Sequence, residues 1–237
     1  MDKKGKVPKI KKVKDIPEND KFDGIHDYLP KMPCLMIIIG SVKSGKSNYI
    51  INLLCNNDFY KGMFDIVQII STTLYSDNKG KILDKYFDCN DNFDDSLIEG
   101  IKEEQSQYPK EERPTRALIL DDCLTHKGGG GLSRNDSISF FSTRFRHYIN
   151  FYCITTQSFK NLSPLIRNNA NAVIICRLQN TAEKNKVMEE YGDLVGGQEN
   201  FLKMYDEVHS EPYNIMYLDL QSNPARVFKN HETQLYP

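Results

Sequence analysis

Apolar residues in this chain gather into short runs that end in polar or glycine-rich turns. Cys34-Leu35-Met36-Ile37-Ile38-Ile39 has no polar position and stops at Gly40. A run of that length with no polar face predicts a strand buried on both sides. Phe64–Ser71, Ala117–Asp121, Phe151–Thr156 and Ala172–Cys176 repeat the pattern. Between them the period changes. Ser47–Leu54 reads as a helix, as does Asp136–Tyr148, where Ile138, Phe141 and Phe145 form an apolar stripe and Asn135 or Asp136 caps the start. A short helix is expected near Ser163–Asn168, and two amphipathic helices near 181–191 and 198–208. Ile215–Asp219 and Ala225–Phe228 predict a terminal strand pair across the turn Gln221-Ser222-Asn223-Pro224. Residues 22–33 are expected to pack beside the sheet edge, and residues 76–115 to form a surface excursion. Alternating strands and helices imply an α/β fold: a mostly parallel central sheet flanked by helices, with a C-terminal strand pair.

The turn after the first strand changes the picture from fold to chemistry. Gly40-Ser41-Val42-Lys43-Ser44-Gly45-Lys46-Ser47 is a complete G-x-x-x-x-G-K-S phosphate-binding loop, placed between a strand and a helix. Its glycines let consecutive N–H groups turn toward an anion, and the following helix N-terminus adds partial positive charge. Gly40 to Ser47, with Asn48, form the expected nucleotide-binding set. Lys46 reaches the β- and γ-phosphates, and the Ser47 hydroxyl is an Mg²⁺ ligand. Lys43 adds charge near the phosphates or faces solvent.

Ala117-Leu118-Ile119-Leu120-Asp121-Asp122 is an apolar run ending in two acids. Carboxylates at the end of a buried strand suit the metal side of such a site. Asp121 is assigned to Mg²⁺ and Asp122 to orienting the attacking water. The second acid favours hydrolysis, since a phosphotransferase must keep water unactivated. Gln157, at the end of the Phe151–Thr156 strand, is placed to touch the γ-phosphate or that water. Parallel strands put the loop, the acids and Gln157 on one sheet edge. Among the arginines Arg144, Arg146, Arg167 and Arg177, Arg146 and then Arg167 are the candidates for a residue supplied in trans to the transition state.

Composition sets limits. The 237 residues, 39 % hydrophobic, are compatible with one α/β domain plus extensions. Residues 1–14 hold seven lysines and one aspartate, so they carry +6 and leave −7 for the rest of a chain of net charge −1. The expected organisation is a basic flexible arm over residues 1–21 and a single ATPase domain over 22–237. The arm suits an anionic partner such as nucleic acid, or serves only to solubilise. Six cysteines without a C-x-x-C pair read as reduced core thiols. The charged start lacks an apolar signal core, and no apolar stretch has the length to span a bilayer. A soluble protein in a reducing compartment, with no membrane partner, is therefore expected. The run Gly128–Gly131, near Lys127 and Arg134, predicts a mobile loop.

These residues together resemble the genome-packaging ATPases of large DNA viruses and virophages, a branch of the FtsK–HerA superfamily of P-loop motors. The resemblance rests on Gly40–Ser47, Asp121-Asp122, Arg146-His147 before the Gln157 strand and Ile166-Arg167-Asn168 after it, and spans residues 34–220. It implies a RecA/FtsK-like core and a homo-oligomeric ring, pentamer or hexamer, that hydrolyses ATP with Mg²⁺. It also implies double-stranded DNA as substrate and a capsid protein as partner. The expected location is then the host cytoplasm, at a viral factory, or the virion. Two other readings of the residues stand beside it. One is a nucleotide or small-metabolite kinase on the same fold; the other is a nucleotide-regulated switch that binds capsid or DNA.

Overall fold

The computed structural model describes residues 22, 24–73, 78–124 and 134–236. The expected arm at 1–21 and the glycine run Gly128–Gly131 with Lys127 lie outside the described residues, as does the side chain of Arg134. Among the described residues nine strands form one sheet in the order β3-β2-β4-β5-β1-β6-β7-β8-β9. In chain order the strands are β1 Cys34–Ile39, β2 Ile66–Ser71, β3 Asp88–Asn90, β4 Arg116–Asp121, β5 Phe151–Thr156, β6 Ala172–Ile175, β7 Met216–Asp219, β8 Arg226–Lys229 and β9 Thr233–Tyr236. The helices are α1 Lys46–Cys55, α2 Asn78–Tyr86, α3 Asp95–Ser106, α4 Arg134–Ser142, α5 Pro164–Asn169, α6 Thr181–Tyr191 and α7 Gln198–Val208.

The first six strands pair parallel. β7, β8 and β9 continue the sheet antiparallel from β6. Both faces of the parallel part are covered, which explains its unbroken apolar runs. Leu35, Ile37 and Ile39 of β1 join the core beneath α3 to α7. Cys34, Met36 and Ile38 point the other way, into a core closed by Tyr49, Ile50, Leu53 and Leu54 of α1 and Leu83 of α2. All six side chains of β1 are buried, as the period-two geometry of a doubly covered strand requires.

Three expectations need correction. Residues 76–115 are more than a surface excursion: they supply β3, which pairs with β2, and α3, which buries Ile98, Ile101 and Gln105. The helix expected to reach Tyr148 ends at Ser142, followed by a separate 3₁₀ turn over Phe145–His147; the stripe is apolar throughout, but two short elements display it as well as one long helix does. Residues 22–33 pack on the α1 face of the sheet, through Leu29 in the core and Tyr28 against Phe228, rather than beside its edge. The terminal strand pair is present, and β9 extends it.

Candidate active site

The loop Gly40–Gly45 leaves the carboxyl end of β1 and enters α1. Each turn has a local cause. Gly40 packs so tightly that a Cβ there would meet Ser44 Oγ at 2.4 Å and Cys176 Cβ at 2.6 Å. Gly45 takes φ 111°, a left-handed value that any side chain would strain. Lys43 adopts φ 61° without being glycine. The loop is tied to neighbouring strand ends: Gly40 N–H donates to Thr156 O, Ser41 N–H to Arg177 O, and Ser41 Oγ accepts from Gln179 N–H at 2.8 Å. No side chain caps α1, and its first turn carries no acid. Its leading N–H groups are therefore oriented for an external anion. That donor set fits a phosphate chain.

Lys46 is nearly buried. Its Nζ donates to Gly40 O at 2.9 Å and Ser41 O at 3.4 Å, and lies 3.8 Å from Asp122 Oδ2. The ammonium is thus curled over the loop, held by carbonyls that anionic oxygens can replace.

Opposite stand the acids. β5 lies between β1 and β4, so its end separates the phosphate loop from the carboxylates. Thr155 uses that position: its Oγ1 donates to Asp121 Oδ1 at 2.6 Å and accepts from Asp122 N–H at 3.0 Å. Ser71 Oγ, at the end of β2, donates to Asp121 Oδ2 at 2.8 Å. Asp121 is buried, and desolvation raises its pKa against those two hydroxyls, with Asp122 adding and Lys46 opposing. A desolvated carboxylate so held is suited to a cation, and Mg²⁺ needs only one or two protein ligands beside phosphate and water. Asp121 and Ser47 would hold it. Among the described residues no cluster of three or more potential ligands suggests any other metal site.

Asp122 differs from Asp121 in backbone and exposure. It leaves the strand at φ 51° and turns its carboxylate toward Lys46. Gln157 Nε2 donates to Asp122 Oδ2 at 2.9 Å. Gln157 therefore sets the direction of the second acid.

The arginines are placed otherwise. Arg146 sits in the 3₁₀ turn preceding β5, at the amino end of the parallel strands and away from this chain's own phosphate loop. Arg167 is engaged: it bonds Glu190 at 2.6 Å and lies 5.0 Å over the Phe159 ring. Arg144 lies over Phe140. Arg177 follows β6 beside the loop, where its carbonyl holds Ser41. The structure thus brings Lys46, Asp121, Asp122 and Gln157 together, and leaves Arg146 and Arg167 outside that cluster. Sequence reasoning missed Thr155 and Ser71; polar residues closing otherwise apolar runs were their signal.

No protein-family model matches the chain. Two curated viral proteins are similar, both uncharacterized. Protein 075L of Invertebrate iridescent virus 6 is 27 % identical over 192 residues, 78 % of this chain and 69 % of its own length. Protein 088R of Invertebrate iridescent virus 3 is 26 % identical over 105 residues, 44 % and 39 % of the two chains. Among solved structures, the genome packaging NTPase B204 of Sulfolobus turreted icosahedral virus 2, in complex with sulfate, superposes with TM-score 0.55 at 17 % identity, over 83 % of this chain and 94 % of that one. Its complex with AMPPCP gives 0.53 at 16 %, over 82 % and 96 %. The chain thus shares the fold of B204, an α/β fold with a mostly parallel sheet and an antiparallel C-terminal extension. The cytoplasmic domain of EssC is also similar, with TM-score 0.51 at 17 % identity over 66 % of this chain and 35 % of that chain. The described residues contain no helix long and apolar enough to cross a membrane. The cysteines at 34, 123, 153 and 176 are buried.

Proposed function

We propose that this protein is an ATP hydrolase that drives double-stranded viral DNA into a preformed capsid. The observation that carries the hydrolytic part is the Lys46–Asp122–Gln157 chain of contacts at the mouth of the phosphate loop. An uncapped helix start and a buried lysine bind the phosphates. Lys46 exchanges its carbonyl partners for β/γ-oxygens and neutralises charge that grows during transfer. Asp121 and Ser47 would hold Mg²⁺, which would supply Lewis acidity at the phosphates. Asp122, the partly exposed acid, accepts a hydrogen bond from the attacking water and aligns it, while Gln157 fixes the carboxylate's direction. Asp121, with both oxygens held by hydroxyls, stays in place on the metal side.

The packaging part is supported by the likeness to B204 and by the viral relatives. The substrate in this reading is a polyanion gripped through its phosphates, independent of sequence, by a ring of identical subunits that docks on a capsid protein. The lysines of residues 1–14 are the first place to seek DNA contacts. The motor would work where genomes are packaged, in the host cytoplasm.

The test is turnover with and without DNA. Wild-type protein should hydrolyse Mg-ATP, faster with duplex DNA of any sequence, and the stimulation should fade as salt rises. Lys46→Ala should abolish hydrolysis in both conditions. Turnover that saturating duplex DNA never changes would remove the motor and leave a kinase or a nucleotide switch. Near-normal hydrolysis by Lys46→Ala would remove the assignment of the loop.

A further inference from the structure

A groove of about 170 Å³ runs from the phosphate loop along α1, and nothing in the hydrolytic cluster uses it. One wall is Gly45, Asn48 and Asn52, one face of the helix over two turns. The other wall is Tyr213, in the connection from α7 to β7, with Asn230 and His231 after β8. Gly45 belongs to both the loop and the groove, so a ligand whose phosphates lie on the loop continues into this space.

The groove is built rather than incidental. Tyr213 is 74 % exposed, the largest exposure of any large hydrophobic side chain among the described residues, yet it is fixed at the loop: its ring comes within 3.7 Å of where a Gly45 Cβ would stand. Its backbone holds φ 67°. Five non-glycine residues with positive φ are described. Lys43 and Asp122 sit at the hydrolytic cluster; Tyr213, Asn230 and His231 line this groove. Asn230 and His231 owe their values to the tight turn between β8 and β9, closed by Glu232 N–H donating to Lys229 O at 3.0 Å. Tyr213 lies in no hairpin, and left-handed backbone at a bulky residue is costly and collects where ligands are clamped.

The base of the groove is rigid. The His231 ring stacks on Tyr49 with an interplanar angle of 8° and meets Phe59 edge-on. Its Nδ1 donates to Tyr28 O at 2.7 Å, so its Nε2 accepts from the Tyr49 hydroxyl at 2.6 Å. Burial lowers the His231 pKa to about 4, so the ring is neutral and the groove carries no charge from it at neutral pH. A neutral, aromatic space beside a phosphate site suits a planar heterocycle. The amide side chains of Asn48 and Asn52 can donate to and accept from the edge of such a ring.

We propose that this groove is the base subsite of the bound nucleoside triphosphate, with Tyr213 as the platform on which a purine stacks. The proposal rests on the reading of Gly40–Ser47 as a triphosphate loop and adds the part of the ligand that the loop does not recognise. The phosphate contacts are blind to the base, so discrimination for ATP over bare polyphosphate resides in the groove.

Titration calorimetry with two probes separates the proposal from the reading beneath it. ATP and inorganic tripolyphosphate, each with Mg²⁺, are bound to wild type, Tyr213→Ala and Tyr213→Phe. ATP should bind wild type more tightly than tripolyphosphate. Tyr213→Ala should weaken ATP about 5- to 150-fold, the range for loss of one base–aromatic stack, with tripolyphosphate affinity unchanged. Tyr213→Phe should retain ATP affinity. Tyr213 is exposed, so the truncation leaves the core intact. An unchanged ATP affinity in Tyr213→Ala overturns the groove assignment and leaves the phosphate loop standing. An equal loss for both probes also overturns it, because Tyr213 then acts through Gly45. Failure of wild type to bind either probe overturns the loop, and the groove with it.

Discussion

Thr155 ties the two acids together, and removing its hydroxyl measures that tie. The side chain is fully buried, with one bond to the Asp121 carboxylate and one from the Asp122 N–H. Thr155→Val keeps the β-branched shape in the centre of the sheet, so strand preference and packing persist. What is lost is polar. A hydrogen bond to a charged group is worth about 1.5–3 kcal/mol, and a stranded buried donor costs about 1–3 kcal/mol. Partial access of water to the cluster offsets some of this, giving an expected loss of about 2–4 kcal/mol at neutral pH. Urea denaturation should show it as a lower midpoint with an unchanged slope. The pH dependence adds a second constraint. Desolvation holds the folded Asp121 pKa above its ordinary value, and the Thr155 hydroxyl opposes that rise. An acid with a raised folded pKa binds its proton more tightly when folded. Its contribution to stability therefore falls as pH rises from the ordinary carboxylate value through the raised one. Valine raises the folded value further, so the cost of the substitution should shrink on acidification. Thr155→Ser should recover most of the loss, since it restores the hydroxyl. A cost below about 0.5 kcal/mol, or one that grows as pH falls, would refute this account of the acids.

Three further outcomes are expected. Gly40→Ala would drive a methyl into Cys176 Cβ, which is fixed to the core, so the loop must shift; stability should drop by about 1–3 kcal/mol, and calorimetry should show weakened ATP binding. Asp122→Asn should keep Mg-ATP binding while stopping hydrolysis, whereas Asp121→Asn should weaken the metal-dependent part of binding; normal turnover by Asp122→Asn would end its role in orienting water. If an arginine acts across subunits, mixing Arg146→Ala with Lys46→Ala should restore part of the ATPase activity that each lacks. The same mixture with Arg167→Ala tests the other candidate, whose ion pair with Glu190 must open before it can serve; no rescue by either, with turnover independent of protein concentration, would favour a site complete within one chain.

The phosphate loop was legible because its chemistry is local. Gly40, Gly45, Lys46 and Ser47 act within eight consecutive residues, so spacing alone reports the ligand class. The parallel strands were legible for a similar reason, since burial on both faces leaves no polar position to interrupt a run. Strand order was not. That β5 lies between β1 and β4 depends on crossovers that periodicity does not encode, and this order gives Thr155 its place between Asp121 and Asp122. The 76–115 segment was illegible because β3 is only three residues long and pairs with a strand some twenty residues away. The surroundings of the arginines were not legible in isolation: a sequence shows a guanidinium, but only packing shows that Arg167 is paired with Glu190 and that Arg146 lies at the far end of the strands. Tyr213 is the clearest case. Along the chain it is one aromatic among many in a polar turn. Folding brings residue 213 against residue 45, and the contact that makes it a candidate platform is between segments that the sequence leaves far apart.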